Sequence, residues 1–310
     1  MAKLFFKKTR LPQVMIPYPG PCADDETQDV FLYLRPETNG VLIESLLLRI
    51  VKNEKYAAHC KVIYLANMPG DYIVRKRIIE QHYALKIKFA HLGKVAFTPF
   101  MIKKFENYFL ENFFTAKIIG AYEAIHKLKI DPEELFKLWV PPHHFAIING
   151  QTIKYYNGYY ILNYDIPALL HKNSRQTDFA VMIFRSSLSR TDFHYLVEDM
   201  RSALIAEQIL GPERPLSRTF HYSSGPFEQI LDGIGYLYNP KGKHLPLDQI
   251  SFYNYLLRNG ISRRAIQRAI RNPIMRFKTE DGIIEENIFQ YTASATYQEA
   301  LDKFRQRISA

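Results

Sequence analysis

Residues 259–273 read NGISRRAIQRAIRNP, with four arginines and no acid. Arginine presents a planar fork that matches phosphate oxygens, and the edge of guanine, two bonds at a time. Such a run, with no carboxylate to neutralise it, points to a polyanion. Widening the window to Gln249–Thr279 adds Arg258, Arg276 and Lys278 and still no acid, so seven of the chain's ten net positive charges fall within 31 of its 310 residues. A basic stripe that local is the electrostatic footprint of a nucleic-acid partner. The same stripe would also suit an acidic protein surface, and a solvated helix face is the plain alternative.

Other residues whose types permit chemistry have weaker spacing. His143-His144 follows Pro141-Pro142, but adjacent histidines on a loop rarely converge on one ion. The stretch RTFHYSSGPFEQ (218–229) gathers His221, Ser223, Ser224 and Glu228 without the GxSxG elbow of a serine nucleophile, and Ser224 before Gly225-Pro226 reads as a helix cap. NPKGKHLP (239–246) lacks the GxxxxGK[ST] spacing of a nucleotide loop. ANMPGDY (66–72) sits where α/β folds bind phosphate, with one glycine where such loops use several. Cys22 and Cys60 stand 38 residues apart, which suits neither a zinc site nor a disulfide framework. The reading is therefore non-enzymatic, with no catalytic residue, metal or cofactor assigned.

The elements that would carry the basic stripe can be read from periodicity. Ile250, Tyr253, Leu256 and Leu257 have helical spacing over 247–259, and Asn259-Gly260 permits the left-handed turn that ends such a helix. Ser262 is a natural cap for a second helix that must stop before Pro273. In it Ala265, Ile266, Ala269 and Ile270 form the apolar side, and Arg264, Gln267, Arg268 and Arg271 the opposite one. This segment resembles the helix-turn-helix of bacterial regulators, in which a glycine, an aliphatic residue and a serine lead into the recognition helix, as Gly260-Ile261-Ser262 do here. Ile266 stands where that pattern plugs the core. Leu256 replaces a usual small residue, and Asn259 a usual apolar one. The resemblance implies that Arg263, nearest the start of the second helix, lies closest to the bases.

A helix over about 226–238 precedes this pair, and IMRFKTEDGIIEENIFQY (274–291) reads as strand, Asp281-Gly282 turn, strand. Helix, helix, helix, hairpin is the order of a winged-helix domain, with Arg276 and Lys278 on the wing. The site expected from sequence is thus Arg258, Ser262, Arg263, Arg264, Gln267, Arg268, Arg271, Arg276 and Lys278. A last helix, 296–308, sets Tyr297, Leu301, Phe304 and Ile308 on one face for the core or for a homodimer.

Upstream, DVFLYLRP (29–36), CKVIYLA (60–66) and DFAVMIFRS (178–186) read as strands. Segments 40–53, 70–83, 98–114 and 189–212 read as helices, and Asn157-Gly158 between aromatic runs marks a hairpin. The expected architecture is an α/β or α+β N-terminal part with a β-hairpin extension (1–211), then a helical, winged-helix-like module (212–310). The N-terminus lacks a signal-peptide core and no run is long enough for a membrane span, so a cytoplasmic protein binding DNA, or RNA, is expected.

Overall fold

Two continuous apolar runs, QDVFLYL and FAVMIFRS, form neighbouring strands buried on both faces. The computed structural model describes residues 9–24, 26–34, 39–213 and 219–308. Residues 1–8, the end of the strand read over 29–36 and most of the 211–217 boundary lie outside them.

The strands are β1 (Gln13–Ile16), β2 (Gln28–Leu34), β3 (Cys60–Met68), β4 (Ile118–Gly120), β5 (Phe145–Ile148), β6 (Gln151–Tyr156), β7 (Tyr159–Leu162), β8 (Phe179–Ser186), β9 (Phe220–Tyr222), β10 (Ile274–Thr279) and β11 (Gly282–Asn287). Of the helices, α1 (Val41–Val51), α2 (Glu54–Ala57), α3 (Gly70–Lys76), α4 (Ile78–His82) and α5 (Ala84–Leu92) come first. Next are α6 (Pro99–Phe109), α7 (Ala121–Leu128), α8 (Pro132–Lys137), α9 (Ile166–His171) and α10 (Arg190–Ala206). The last are α11 (Pro226–Tyr236), α12 (Ser251–Arg258), α13 (Arg263–Arg271), α14 (Ile288–Tyr291) and α15 (Tyr297–Arg305). The chain is a mixed α/β protein with mainly antiparallel sheets. Its contacts define two compact units that are interleaved in sequence. Unit 1 comprises the chain up to Arg77, Ser174–Ile266 and Thr292–Leu301; unit 2 comprises Ile78–Asn173, Gln267–Tyr291 and the chain from Asp302.

Unit 1 is built on a sheet ordered β1-β3-β8-β2-β9 with antiparallel neighbours throughout. Strands β2 and β3, joined through α1, flank β8; strands β8 and β9, joined through α10, flank β2. These are two interlocked split βαβ units. One face of the sheet (Val30, Leu32, Leu34, Met182, Phe184) forms a core with Leu46 and Leu47 of α1 and Phe193, Leu196, Val197 and Met200 of α10. Ser189 starts α10 by accepting the Asp192 N–H. Helices α11 and α12 cover the other face. Gln229 of α11 donates to the Asp29 carbonyl, Tyr64 of β3 donates to the Tyr236 carbonyl, and Ser251 of α12 donates to the Asp29 carboxylate. Residues 212–310 therefore contribute to both units: α11 and α12 to the first, β10 and β11 to the second.

Unit 2 holds a sheet ordered β4-β7-β6-β5, in which only β4 and β7 run parallel. Asn157-Gly158 makes the expected β6–β7 turn with φ 48° and 79°, and Asn149-Gly150 makes a like turn between β5 and β6 at 48° and 76°. The hairpin β10–β11 turns at Glu280-Asp281, one residue before the expected Asp281-Gly282, because Gly282 already pairs with Thr279. Residues 306–308 then add to its β10 edge, Lys278 donating its backbone N–H to Gln306 and Ile308 to Arg276.

Three helices end earlier than periodicity implies, and the one read over 189–212 stops at Ala206, with Gln208 left-handed just beyond it. Segment 70–83 is not one helix. Arg77, at φ 53°, closes α3 by donating its N–H to the Ile73 and Val74 carbonyls, at the point where the chain leaves unit 1. The helix read over 98–114 starts as expected, with Thr98 capping the Met101 N–H and Pro99 first, but stops at Phe109. Leu110 is left-handed there, and Asn112 accepts the Phe114 and Thr115 N–H groups in a turn of its own. On α15 the apolar face is taken up by the chain's own interior: Tyr297, Leu301 and Phe304 are buried. Among the described residues no helix is long and apolar enough to cross a membrane.

Candidate nucleic-acid interface

The turn into the basic helix is fixed by its backbone. Gly260, at φ 80°, places the Ile261 N–H on the Leu256 carbonyl and its own N–H on Leu257, the paired bonds of a Schellman ending. Leu256 and Ile261, the two side chains that this ending brings together, are both buried. The bulk of Leu256 is thus absorbed at the turn. Ser262 then caps α13 by accepting the Ala265 N–H at 3.2 Å.

Along α13 the sides divide as the periodicity implies. Ile266 and Ala269 are fully buried, while Arg263, Arg264, Gln267, Arg268 and Arg271 are exposed. At 100° per residue, Arg264, Arg268 and Arg271 fall within an arc of about 60°, spread over about 10.5 Å of helix axis. Among the described residues none of the three makes an ion pair. Arg263 differs: it donates to the Asp248 carboxylate at 2.8 Å. That bond raises the guanidinium above its ordinary pKa. Exposed Arg258 on α12 lies 5.9 Å from the Tyr255 ring.

On the hairpin the two cations are also unequal. Arg276 lies 3.8 Å from Glu285 directly across the ladder and 5.1 Å over the Phe100 ring. Glu285 is a buried acid that also accepts from Thr98 and, at 3.2 Å, from Asn149. The Lys278 side chain is exposed and makes no ion pair among the described residues. Of the cations expected from sequence, Arg264, Arg268, Arg271 and Lys278 are therefore exposed and without ion pairs among the described residues.

The other sequence candidates are occupied by structure. The N–H of Gly70, at the start of α3, donates to Asp178, whose carboxylate is also held by Arg10. A Cβ at Gly70 would meet the Ser174 and Thr177 carbonyls, so close backbone packing accounts for this glycine. In NPKGKHLP, Asn239 accepts the Lys241 and Lys243 N–H groups and shapes a tight turn. His143 and His144 lie ring to ring at 4.3 Å, with His144 against Tyr155. Gly225, not Ser224, is the N-cap of α11; the Ser224 backbone N–H instead donates to Glu228.

Around His221 the structure adds a residue that the sequence did not single out. Asp232 of α11 is fully buried, 3.9 Å from His221 Nε2, while Glu228 stands 3.8 Å from the same nitrogen. The Ser223 hydroxyl donates to Asp232 at 2.8 Å and accepts the Phe31 N–H. Its bond to Asp232, rather than to His221, departs from a Ser–His pair. Tyr33 stacks on the His221 ring at 4.3 Å. Burial, with the charge of Glu228 adding to it, pushes the Asp232 carboxyl well above the usual range. The i, i+4 spacing of Glu228 and Asp232 on one helix face was the available signal.

Fold and site together define a mixed α/β protein carrying an exposed arginine helix. Protein-family models, curated proteins and solved structures include none that matches this chain.

Proposed function

We propose that the protein binds nucleic acid through α13, in a stretch of chain whose element order from α11 to β11 is that of a winged-helix module. One observation carries the reading: Arg264, Arg268 and Arg271 form an exposed stripe, without ion pairs among the described residues, backed by a fully buried Ile266–Ala269 face. A helix anchored in this way holds its guanidinium groups in a fixed row, and phosphate oxygens are their best-matched partners. The order of three helices and a hairpin, the Schellman turn into α13 and the exposed Lys278 on the hairpin support the same reading.

The test is fluorescence anisotropy of the full chain with random duplex and single-stranded oligonucleotides at low salt. Binding that is lost in the triple variant R264A/R268A/R271A is expected. No binding tighter than about 100 μM would end the proposal, because even non-specific binders do better. An acidic protein partner, recovered by the wild type and lost in the triple variant, would then take the place of nucleic acid.

A further inference from the structure

We infer that the β6–β7 hairpin of unit 2 is a second nucleic-acid contact, which stacks bases of a single strand on Tyr156 and Tyr159 while lysines hold its phosphates. It does not depend on α13: every residue concerned lies between the start of β4 and the end of β7, within Ile78–Asn173.

Strand alternation sets the two rings on one face. Tyr155 and Tyr160 pack into the core that holds Phe105 and Ile153. Their neighbours Tyr156 and Tyr159 therefore face the other way, on the side where Ile119 and Ile161 belong to a separate core. Tyr156 and Tyr159 are direct partners across the ladder, which sets their Cβ atoms about 5 Å apart. Lys117, just before β4, extends the parallel register that pairs Ile118 with Tyr160, and so stands beside Tyr159. Its ammonium lies 5.9 Å from the Tyr159 ring, and that of Lys127 on α7 lies 5.8 Å from the same ring.

This is where the core runs out. Tyr156 is 37% exposed, Lys117 and Lys127 are exposed, and Tyr159 is half-buried. The Asn157-Gly158 turn beyond them is open: a Cβ at Gly158 would meet nothing within 4 Å. Lys117 makes no ion pair among the described residues, and Lys127 lies 3.5 Å from Glu123, an exposed pair of little strength. Flat rings flanked by ammonium groups match a ligand in which flat rings alternate with anions, which is a nucleotide chain. Bases reach a tyrosine face only when unpaired, so the strand is single. DNA and RNA strands share that chemistry.

The experiment follows ring-labelled tyrosines by NMR in the full chain carrying R264A/R268A/R271A, so that α13 does not contribute. The probes are short oligothymidylate, oligouridylate, a blunt DNA duplex and inorganic polyphosphate, at low salt. A single strand should saturate the Tyr156 and Tyr159 signals below about 1 mM, a weaker contact than the one proposed for α13. The tighter of the two strands identifies DNA or RNA as the source. Tyr156→Ala should weaken this binding at least about fivefold, while Tyr156→Phe, which keeps the ring face, should stay within about twofold of its parent. Lys117→Ala should flatten log K against log[salt] by about 0.7. Both positions are exposed, and unchanged thermal melts establish that the variants are folded. Equal binding of duplex or polyphosphate, strands that leave both rings unperturbed, or a Tyr156→Ala variant that binds like its parent would overturn the inference. None of these outcomes bears on α13, whose own test compares the wild type with the triple variant.

Discussion

Asp29 and Arg185 stand directly opposite each other on β2 and β8, joined by two bonds of 2.8 Å and 3.0 Å. Asp29 also accepts from Tyr18, Ser251 and the Cys22 thiol, so the charge that α12 covers is fully hydrogen-bonded. Buried pairs of this kind are costly to break from one side, because the remaining charge keeps its desolvation penalty.

Asp29→Ala should therefore destabilise the protein by about 3–5 kcal/mol, since it strands the Arg185 guanidinium. The double variant Asp29→Ala/Arg185→Met should lose less than Asp29→Ala and Arg185→Met together. Urea unfolding midpoints of the four proteins give the coupling. Additive losses would mean that the pair contributes no interaction of its own.

The opposed faces of α13 make a second prediction. Ile266→Asp puts an unpaired charge where the side chain is fully buried and should cost about 3–5 kcal/mol. Arg264→Ala removes an exposed side chain and should stay within about 0.5 kcal/mol of wild type. Circular-dichroism melts of the full chain test both. Equal tolerance would show that the helix buries a different face.

These residues also show what the sequence could convey. The sides of α13 were legible because a 3.6-residue period sorts Ile266 and Ala269 from the arginines without reference to any neighbour. Asn157-Gly158 was legible because the left-handed turn is a local demand. Asn149-Gly150 carries the same signal, but the short FAII run before it gave little strand pattern to attach it to. The interleaved units were not legible. Strand β3 pairs with β8 more than a hundred residues downstream, and no local period records that unit 2 is inserted between them. Nor were Asp29, Arg185 and Asp232, since charged residues read as surface until their partners are known.

The last prediction concerns Asp232. Its carboxyl is fully buried, with Glu228 and His221 facing it and the Ser223 hydroxyl as donor. Burial is the main cause of its raised pKa, and the Glu228 charge adds to it. The sign follows from proton counting. Above the ordinary carboxylate range the unfolded chain has released this proton while the folded chain still holds it. Folding stability from this group is therefore full below the ordinary Asp value of 3.8 and declines as pH rises from there, until the folded-state pKa is passed. Asp232→Asn preserves the shape and the acceptor for Ser223 but removes the titration. Urea midpoints of the two proteins should differ least near pH 4, and the variant should gain on wild type as pH rises from there. A wild type that instead gains on Asp232→Asn as pH rises would show that ionised Asp232 is stabilised in the fold, through a cationic His221 or a bound cation. The assigned sign would then be wrong.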